Sequence, residues 1–84
     1  MPFALRLSRQ ARRYIERADA NTRRRLFAVL EEVAVNPYSG DVRPLRGRPG
    51  QWRRRVGDLR VIYRVDDTGL TVDIAVIGPR GDVY

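Results

Sequence analysis

The sequence contains no cysteine, no histidine and no lysine, and each absence excludes a class of site. Without cysteine there is neither a disulfide nor a thiolate nucleophile, and without histidine the usual general base and metal ligand are missing. A Ser-His-Asp triad and a zinc site are therefore excluded. The lack of cysteine also fits the cytoplasm, which is the localisation we expect. Because no apolar run could span a bilayer and no signal-peptide pattern opens the chain, no membrane association is expected.

What the sequence has instead is arginine. Arg provides all 17 basic residues against 10 Asp and Glu, and the net charge is +7. Arginine binds phosphate through paired hydrogen bonds and keeps its proton near neutral pH. A small basic domain therefore predicts an anionic partner, which could be nucleic acid, an anionic surface or an acidic protein. A chain of 84 residues has room for one hydrophobic core, so we interpret residues 1–84 as a single domain.

The stretch Trp52–Tyr63 has the pattern of a β-hairpin. Apolar and charged residues alternate on both sides of Gly57-Asp58, which is typical of a two-residue turn. A loop of this length predicts the register in which Arg55 faces Arg60. Two guanidinium groups placed opposite each other repel by about 1 to 3 kcal/mol at effective dielectric constants of 80 to 20. A pair that is unfavourable for folding indicates an anionic partner.

The predicted register divides the side chains of the hairpin between two faces. One face is apolar and must be covered by helices; it carries Trp52, Val56, Leu59, Val61 and Tyr63. The opposite face carries Arg53, Arg55 and Arg60. Arg54 is the middle of the arginine triplet but points to the helix side, so we expect it to be structural or to bind a partner.

The rest of the chain predicts an α+β fold with the order β-α-α-β-β-β. Residues 3–7 alternate as a first strand, and Ser8 is a candidate N-cap for a first helix. An apolar stripe over 26–34 predicts a second helix that ends at Asn36-Pro37. Residues 37–50 are interpreted as a connecting loop, in which Leu45 anchors the loop to the core or starts a strand. We expect an antiparallel sheet with a two-helix hairpin packed on one face.

The last strand is predicted to follow a turn at residues 66–69. In that register Tyr63 faces Val72, Val61 faces Ile74 and Leu59 faces Val76. On the other face, Arg60 is expected opposite Ala75 and Arg64 opposite Thr71. The strand ends at Gly78-Pro79, which should place Arg80 and Tyr84 close to Arg55 and Arg60.

The arginine face allows three interpretations from its residues alone: binding of phosphate or an acidic partner, catalysis, or an ordinary solvated surface. If it cleaves, the accessible reaction is scission of an RNA phosphodiester. The 2′-hydroxyl of the substrate would attack the adjacent phosphorus, so neither a protein nucleophile nor a metal or cofactor is expected. Arginines would stabilise the pentavalent transition state, and Tyr84 could move a proton or stack on a base.

Three segments resemble the RelE/ParE superfamily, the toxin halves of type II toxin–antitoxin pairs. They are Leu45-Arg46-Gly47, Trp52–Tyr63 and Val76–Tyr84 with its Arg-x-x-Val-Tyr ending. The resemblance implies a ribosome-dependent mRNA endoribonuclease that cuts in the decoding site by 2′-hydroxyl attack. It implies a catalytic set of Arg53, Arg55, Arg60, Arg80 and Tyr84. Relatives often carry lysine at the first two of these positions, so no lysine base is carried over.

The resemblance also implies partners. We expect mRNA on the ribosome, with Arg46, Arg48 and Arg64 as further RNA-binding residues, and a cognate antitoxin with an acidic, partly disordered segment. One alternative is a ParE-like toxin that inhibits DNA gyrase without cutting RNA. The other is a degenerate toxin that only binds its antitoxin.

Overall fold

The computed structural model describes residues 2–79, which form two helices and one five-stranded sheet. In chain order the elements are β1 (Ala4–Leu7), α1 (Arg9–Arg17), α2 (Ala20–Val35), β2 (Val42–Pro44), β3 (Gln51–Val56), β4 (Leu59–Asp66) and β5 (Thr71–Pro79). The order across the sheet is β1-β5-β4-β3-β2. Both helices lie on one face, which confirms the predicted α+β class and helix hairpin.

The sheet differs from the prediction at its two edges. At one edge β1 runs parallel to β5, so the sheet is mixed and not wholly antiparallel. Alternation of apolar residues identifies a strand but says nothing about its neighbour. At the other edge the segment expected to be a loop contains β2, a short strand that pairs antiparallel with β3. Neither helix within residues 2–79 is long and apolar enough to cross a membrane.

The start of α1 also completes the hydrogen bonding of β5. As predicted, Ser8 caps the helix: its Oγ accepts from the backbone N–H of Ala11 at 3.0 Å and also donates to the carbonyl of Ala75 at 2.6 Å. The amide of Gln10 donates to the Ile77 carbonyl at 2.7 Å and accepts from its N–H at 2.9 Å. These side chains replace strand pairing where β1 has already ended.

The main core lies between the helices and the sheet. Its fully buried large side chains include Leu26, Val33, Val61, Tyr63, Val72, Ile74 and Ile77. The Tyr63 hydroxyl donates a hydrogen bond to the Pro37 carbonyl at 2.5 Å. Burial of the ring raises the pKa of Tyr63 to about 12. This hydrogen bond ties the end of α2 to the centre of the sheet.

The hairpin register is confirmed at every pair that the turn predicted. Arg55 lies opposite Arg60, Arg53 opposite Ile62 and Trp52 opposite Tyr63. Gly57 in the turn has a φ of 58°, a left-handed conformation that glycine adopts without strain.

The predicted register between β4 and β5 is wrong. Asp66 stays in β4 opposite Thr71, so the turn consists of residues 67–70 and not 66–69. Its last residue, Leu70, has a φ of 54° and takes no part in the strand. Further along, Ile62 lies opposite Val76 while Tyr63 lies opposite Ile74, which leaves Ala75 as the extra residue of a β-bulge.

The bulge exchanges the faces of the residues that follow it. Ile77 is fully buried in the main core, whereas Val76 packs with Leu45 and Ile62 in a small apolar cluster on the opposite face. Further pairs differ from the prediction, because the turn has moved and, for the pairs beyond Ala75, because of the bulge as well. Val61 lies opposite Ile77, Leu59 opposite Pro79, Arg60 opposite Gly78 rather than Ala75, and Arg64 opposite Asp73 rather than Thr71. The predicted placement of Gly78-Pro79 beside the turn end of the hairpin is nevertheless confirmed.

Candidate functional site

The face of the sheet turned away from the helices carries two parallel rows of side chains near the hairpin turn. In the first row, Arg55 on β3 and Arg60 on β4 lie opposite each other, with Gly78 of β5 beyond. Asp41 begins this row, because its carbonyl accepts the Arg55 N–H at 3.1 Å just before β2. The second row is Arg43, Arg53, Ile62 and Val76.

Between these rows lies a groove of about 320 Å³ lined by Asp41, Arg43, Arg53, Arg55 and Arg60. Four guanidinium groups face one carboxylate, so the groove has an excess of positive charge. A neighbouring cavity of about 310 Å³ shares Arg43 and Arg53 and adds Pro44, Leu45 and Arg46. The two cavities thus lie side by side on the β2 side of the sheet, and arginines line both.

The arginines of the groove differ in their exposure. Arg53 and Arg60 are only 9% and 8% exposed, whereas Arg55 is open to solvent. Within residues 2–79 the Arg53 side chain makes no hydrogen bond or ion pair. None of the Arg53 guanidinium nitrogens is fully buried, so the group keeps contact with water at the groove and can donate to an anion there. The groove is therefore suited to binding a phosphate.

Among the described residues that line the groove, Asp41 is the one carboxylate that offsets the repulsion between the arginines. The Arg55 and Arg60 side chains extend from directly opposed residues, and the Arg55 Nε lies 3.9 Å from the Asp41 Oδ2. Both members of that ion pair are about half exposed, so water screens it and it contributes little. The residual positive potential is available to a ligand.

Arg54 projects to the other face, as predicted. Its guanidinium donates to Glu32 Oε1 at 2.7 Å and to the Ser39 carbonyl at 3.0 Å, and the side chain is largely buried. Gly40 lies directly against it, because a Cβ added there would come within 2.6 Å of the Arg54 Cζ. Arg54 thus holds the segment between α2 and β2 in place. Asp41 of this segment and Arg43 of β2 line the groove.

Comparison with known proteins identifies the family of this chain. Residues 5–84 match the family model described as the ParE toxin of the type II toxin–antitoxin system, parDE. The chain belongs to the RelE/ParE superfamily of toxins. It is 33% identical over 91 residues to the toxin RelG of Mycobacterium tuberculosis, which covers 100% of this chain and 98% of the relative.

Solved structures of such toxins share the fold. The RelE–RelB complex of Pyrococcus horikoshii OT3 superposes with a TM-score of 0.82 at 25% identity, covering 99% of this toxin and 100% of that chain. The toxin–antitoxin complex RelBE2 of Mycobacterium tuberculosis gives a TM-score of 0.74 at 30% identity, with 95% and 100% covered. The chain is therefore a type II toxin with a RelE-like structure.

The predicted site residues of the toxin fall into three groups. Arg53, Arg55 and Arg60 meet in the groove, and Arg46 lines the adjoining cavity. Arg48 and Arg64 are exposed but line neither cavity; Arg64 is four residues along β4 from Arg60, or roughly 13 Å. Arg80 and Tyr84 lie outside the described residues.

Two groove residues of the toxin, Asp41 and Arg43, were not predicted from the sequence as site residues. Both belong to a segment in which glycines and prolines suggested a loop. The signal that could have identified them is the polar-apolar-polar alternation of Asp41-Val42-Arg43, which is typical of a short edge strand. Within residues 2–79 no group of three or more acidic side chains is placed to hold a metal ion.

Proposed function

We propose that this toxin is a ribosome-dependent mRNA endoribonuclease that cleaves by attack of the substrate's own 2′-hydroxyl. The observation that supports this most directly is the groove in which Arg43, Arg53, Arg55 and Arg60 surround a volume of about 320 Å³. That volume can hold a phosphate with part of its sugar, and arginine is the side chain best suited to bind it. An mRNA target would place the activity in the cytoplasm.

In the proposed reaction the arginines bind the scissile phosphate and stabilise charge that develops on it. Arg55 and Arg60 project from directly opposed positions, so both can contact the non-bridging oxygens of one phosphate. Arg53 neighbours them in the second row. By the family resemblance, Arg80 and Tyr84 complete the catalytic set. Arg46, Arg48 and Arg64 would bind RNA on either side of the cut.

No protein nucleophile enters this scheme, because the 2′-oxygen forms the new bond to phosphorus and the 5′-oxygen leaves. The proposed products are a 2′,3′-cyclic phosphate and a 5′-hydroxyl. The arginines supply the charge stabilisation that a metal ion provides in other nucleases, so we expect no metal ion in the chemical step.

The test is cleavage of mRNA by translating ribosomes supplied with purified toxin. Arg60→Ala and Arg53→Ala should each lower the cutting rate by about 100-fold or more, the usual effect of removing one donor to a developing charge. Arg12→Ala is the matched control, because Arg12 is exposed on α1, on the other face of the sheet. Equal cutting by the groove variants and the control would contradict the proposal.

A second function is favoured by one observation, the description of the matching family model as a ParE toxin. The superfamily includes toxins that inhibit DNA gyrase, so the same protein should be tested in a DNA supercoiling assay. Inhibition of gyrase together with intact mRNA would reverse the assignment. A protein inactive in both assays that still binds its antitoxin would be a degenerate toxin.

We also propose a cognate antitoxin as protein partner. Similar toxins have been solved as RelE–RelB complexes, and the net charge of +7 predicts an acidic binding segment here. Such a segment would cover the groove arginines and order as it binds. The open reading frame next to this gene should encode it, and co-expression followed by purification tests the pair.

A further inference from the structure

The four arginines of the groove leave one chemical requirement unmet. Attack by a 2′-hydroxyl needs a group that accepts its proton, and a guanidinium does not release its own proton to become a base near neutral pH. Of the five described residues that line the groove, Asp41 alone can accept a proton there. This requirement, which rests on the proposed function, directs attention to its carboxylate.

The Asp41 carboxylate lies near the arginines of the groove but accepts no hydrogen bond from their side chains. Its backbone carbonyl accepts the Arg55 N–H at 3.1 Å, which fixes the residue at the end of the first row. Its Oδ2 is 3.9 Å from the Arg55 Nε, beyond hydrogen-bond distance, and the side chain is 50% exposed. A ligand in the groove can therefore reach the carboxylate.

Several other carboxylates of the described chain are already engaged, and Glu16, Glu31 and Asp58, which accept no hydrogen bond within residues 2–79, do not line the groove. Asp73 accepts from Arg6 Nε at 2.8 Å, Glu32 accepts from Arg54 at 2.7 Å and Asp19 caps α2 at 2.7 Å. Asp67 accepts from the Tyr38 hydroxyl at 2.8 Å. Asp41 thus differs from the engaged carboxylates in two respects: it faces the groove, and within residues 2–79 its carboxylate accepts no hydrogen bond.

We propose that Asp41 is the general base of the cleavage reaction. Neighbouring strands lie about 4.8 Å apart, so the first row places Asp41 one strand from Arg55 and two from Arg60. A phosphate held by the two arginines can present its neighbouring ribose to the β2 side, where the carboxylate lies. In the first row, Asp41 would therefore remove the proton, and Arg55 and Arg60 would stabilise the charge.

The step balances without an oxidant or a further reactant. The 2′-O–H bond breaks and its proton moves to an Asp41 carboxylate oxygen, while the 2′-oxygen forms a bond to phosphorus. The bond between phosphorus and the 5′-oxygen breaks with its electron pair, and the 5′-oxygen takes a proton from water. Asp41 then returns its proton to solvent.

The experiment measures the cutting rate on translating ribosomes and the RNA affinity of three variants. Asp41→Asn keeps the size of the side chain but removes the base, Asp41→Glu keeps a carboxylate, and Asp58→Asn in the hairpin turn is the charge-matched control. We expect Asp41→Asn to cut at least about 100-fold more slowly while binding RNA as tightly as the wild type or more tightly. Asp41→Glu should recover at least a tenth of the wild-type rate, and Asp58→Asn should cut at the wild-type rate.

The outcomes separate this role from the function on which it rests. Cutting by Asp41→Asn within threefold of the wild type would overturn the role of Asp41 and leave the endoribonuclease proposal standing. Equal losses in the Asn and Glu variants would also overturn it, because a carboxylate at this position would then make no difference to the rate. Absence of cutting by the wild type in the same reactions would overturn both.

Discussion

Two neighbouring arginines of the triplet, Arg54 and Arg55, should differ in their effect on stability when each is replaced by alanine. Arg54→Ala removes two charge-assisted hydrogen bonds, at 2.7 Å to Glu32 and 3.0 Å to the Ser39 carbonyl, together with the packing of a buried side chain. Because Glu32 is 57% exposed and water can replace its partner, we expect a loss of about 2 to 3 kcal/mol. For a domain of this size that corresponds to a fall in Tm of about 10 to 20 °C.

Arg55→Ala should leave the stability unchanged or raise it. Removing Arg55 relieves its repulsion with Arg60, which is about 1 kcal/mol after screening, since Arg55 is 42% exposed. The pair lost with Asp41 at 3.9 Å is worth at most about 0.5 kcal/mol. We therefore expect a change between zero and a gain of about 1 kcal/mol, together with a large loss of RNA cutting.

Urea unfolding followed by the fluorescence of Trp52, the single tryptophan, measures both variants. Trp52 packs edge-to-face on Tyr38, with ring centroids 5.2 Å apart, so its emission should change when the sheet opens. A loss of more than 1 kcal/mol in Arg55→Ala would contradict the repulsion assigned to Arg55 and Arg60, and an Arg54→Ala variant as stable as the wild type would contradict the structural role of Arg54.

Three further predictions concern the loop, the core and the groove. Gly40→Ala should destabilise the protein by about 2 to 3 kcal/mol in urea unfolding, since φ is +81° and the new Cβ would displace Arg54. Gly47→Ala, at φ +75° with open space around it, should cost only about 1 kcal/mol. Equal losses in the two variants would contradict this. Burial raises the pKa of Tyr63 from 10.0 to about 12. The contribution of its protonated hydroxyl to the free energy of unfolding is therefore fully present below pH 10, and about 3 kcal/mol should be lost as the pH rises to 12. That alkaline loss, followed by unfolding at fixed pH, should be smaller in Tyr63→Phe, and an unchanged loss would show that other groups cause it. RNA affinity measured by fluorescence anisotropy should fall steeply as salt increases, and a flat titration would argue against phosphate contacts by the groove arginines.

Local sequence rules predicted the parts of the fold that depend on neighbouring residues. The two-residue turn at Gly57-Asp58 determines how Arg55 and Arg60 are paired, and the structure has that pairing. The cap at Ser8 follows from the same kind of local chemistry. Strand alternation could not reveal that β1 would run parallel to β5, because pairing between distant strands depends on the packing of the whole core.

The errors in β5 have two physical origins, the turn that lies at residues 67–70 and the unpaired Ala75. Its bulge changes which residues face the helices, and alternation alone predicts no interruption there. Ser8 Oγ binds the Ala75 carbonyl, so the bulge is supported by a residue far away in the sequence. In the site, the hairpin pattern predicted Arg53, Arg55 and Arg60. Asp41 and Arg43 were not predicted, because the short strand β2 lies in a segment rich in turn residues.

The central claim is that the arginine groove cleaves RNA by means of the substrate's own 2′-hydroxyl. The most direct test places a single 2′-deoxynucleotide immediately before the scissile phosphate of an mRNA on translating ribosomes, with unmodified mRNA as control. We expect cutting to stop at the modified bond alone, and we expect the unmodified RNA to yield a 2′,3′-cyclic phosphate and a 5′-hydroxyl. Undiminished cutting at the 2′-deoxy position, or products with a 5′-phosphate, would contradict it.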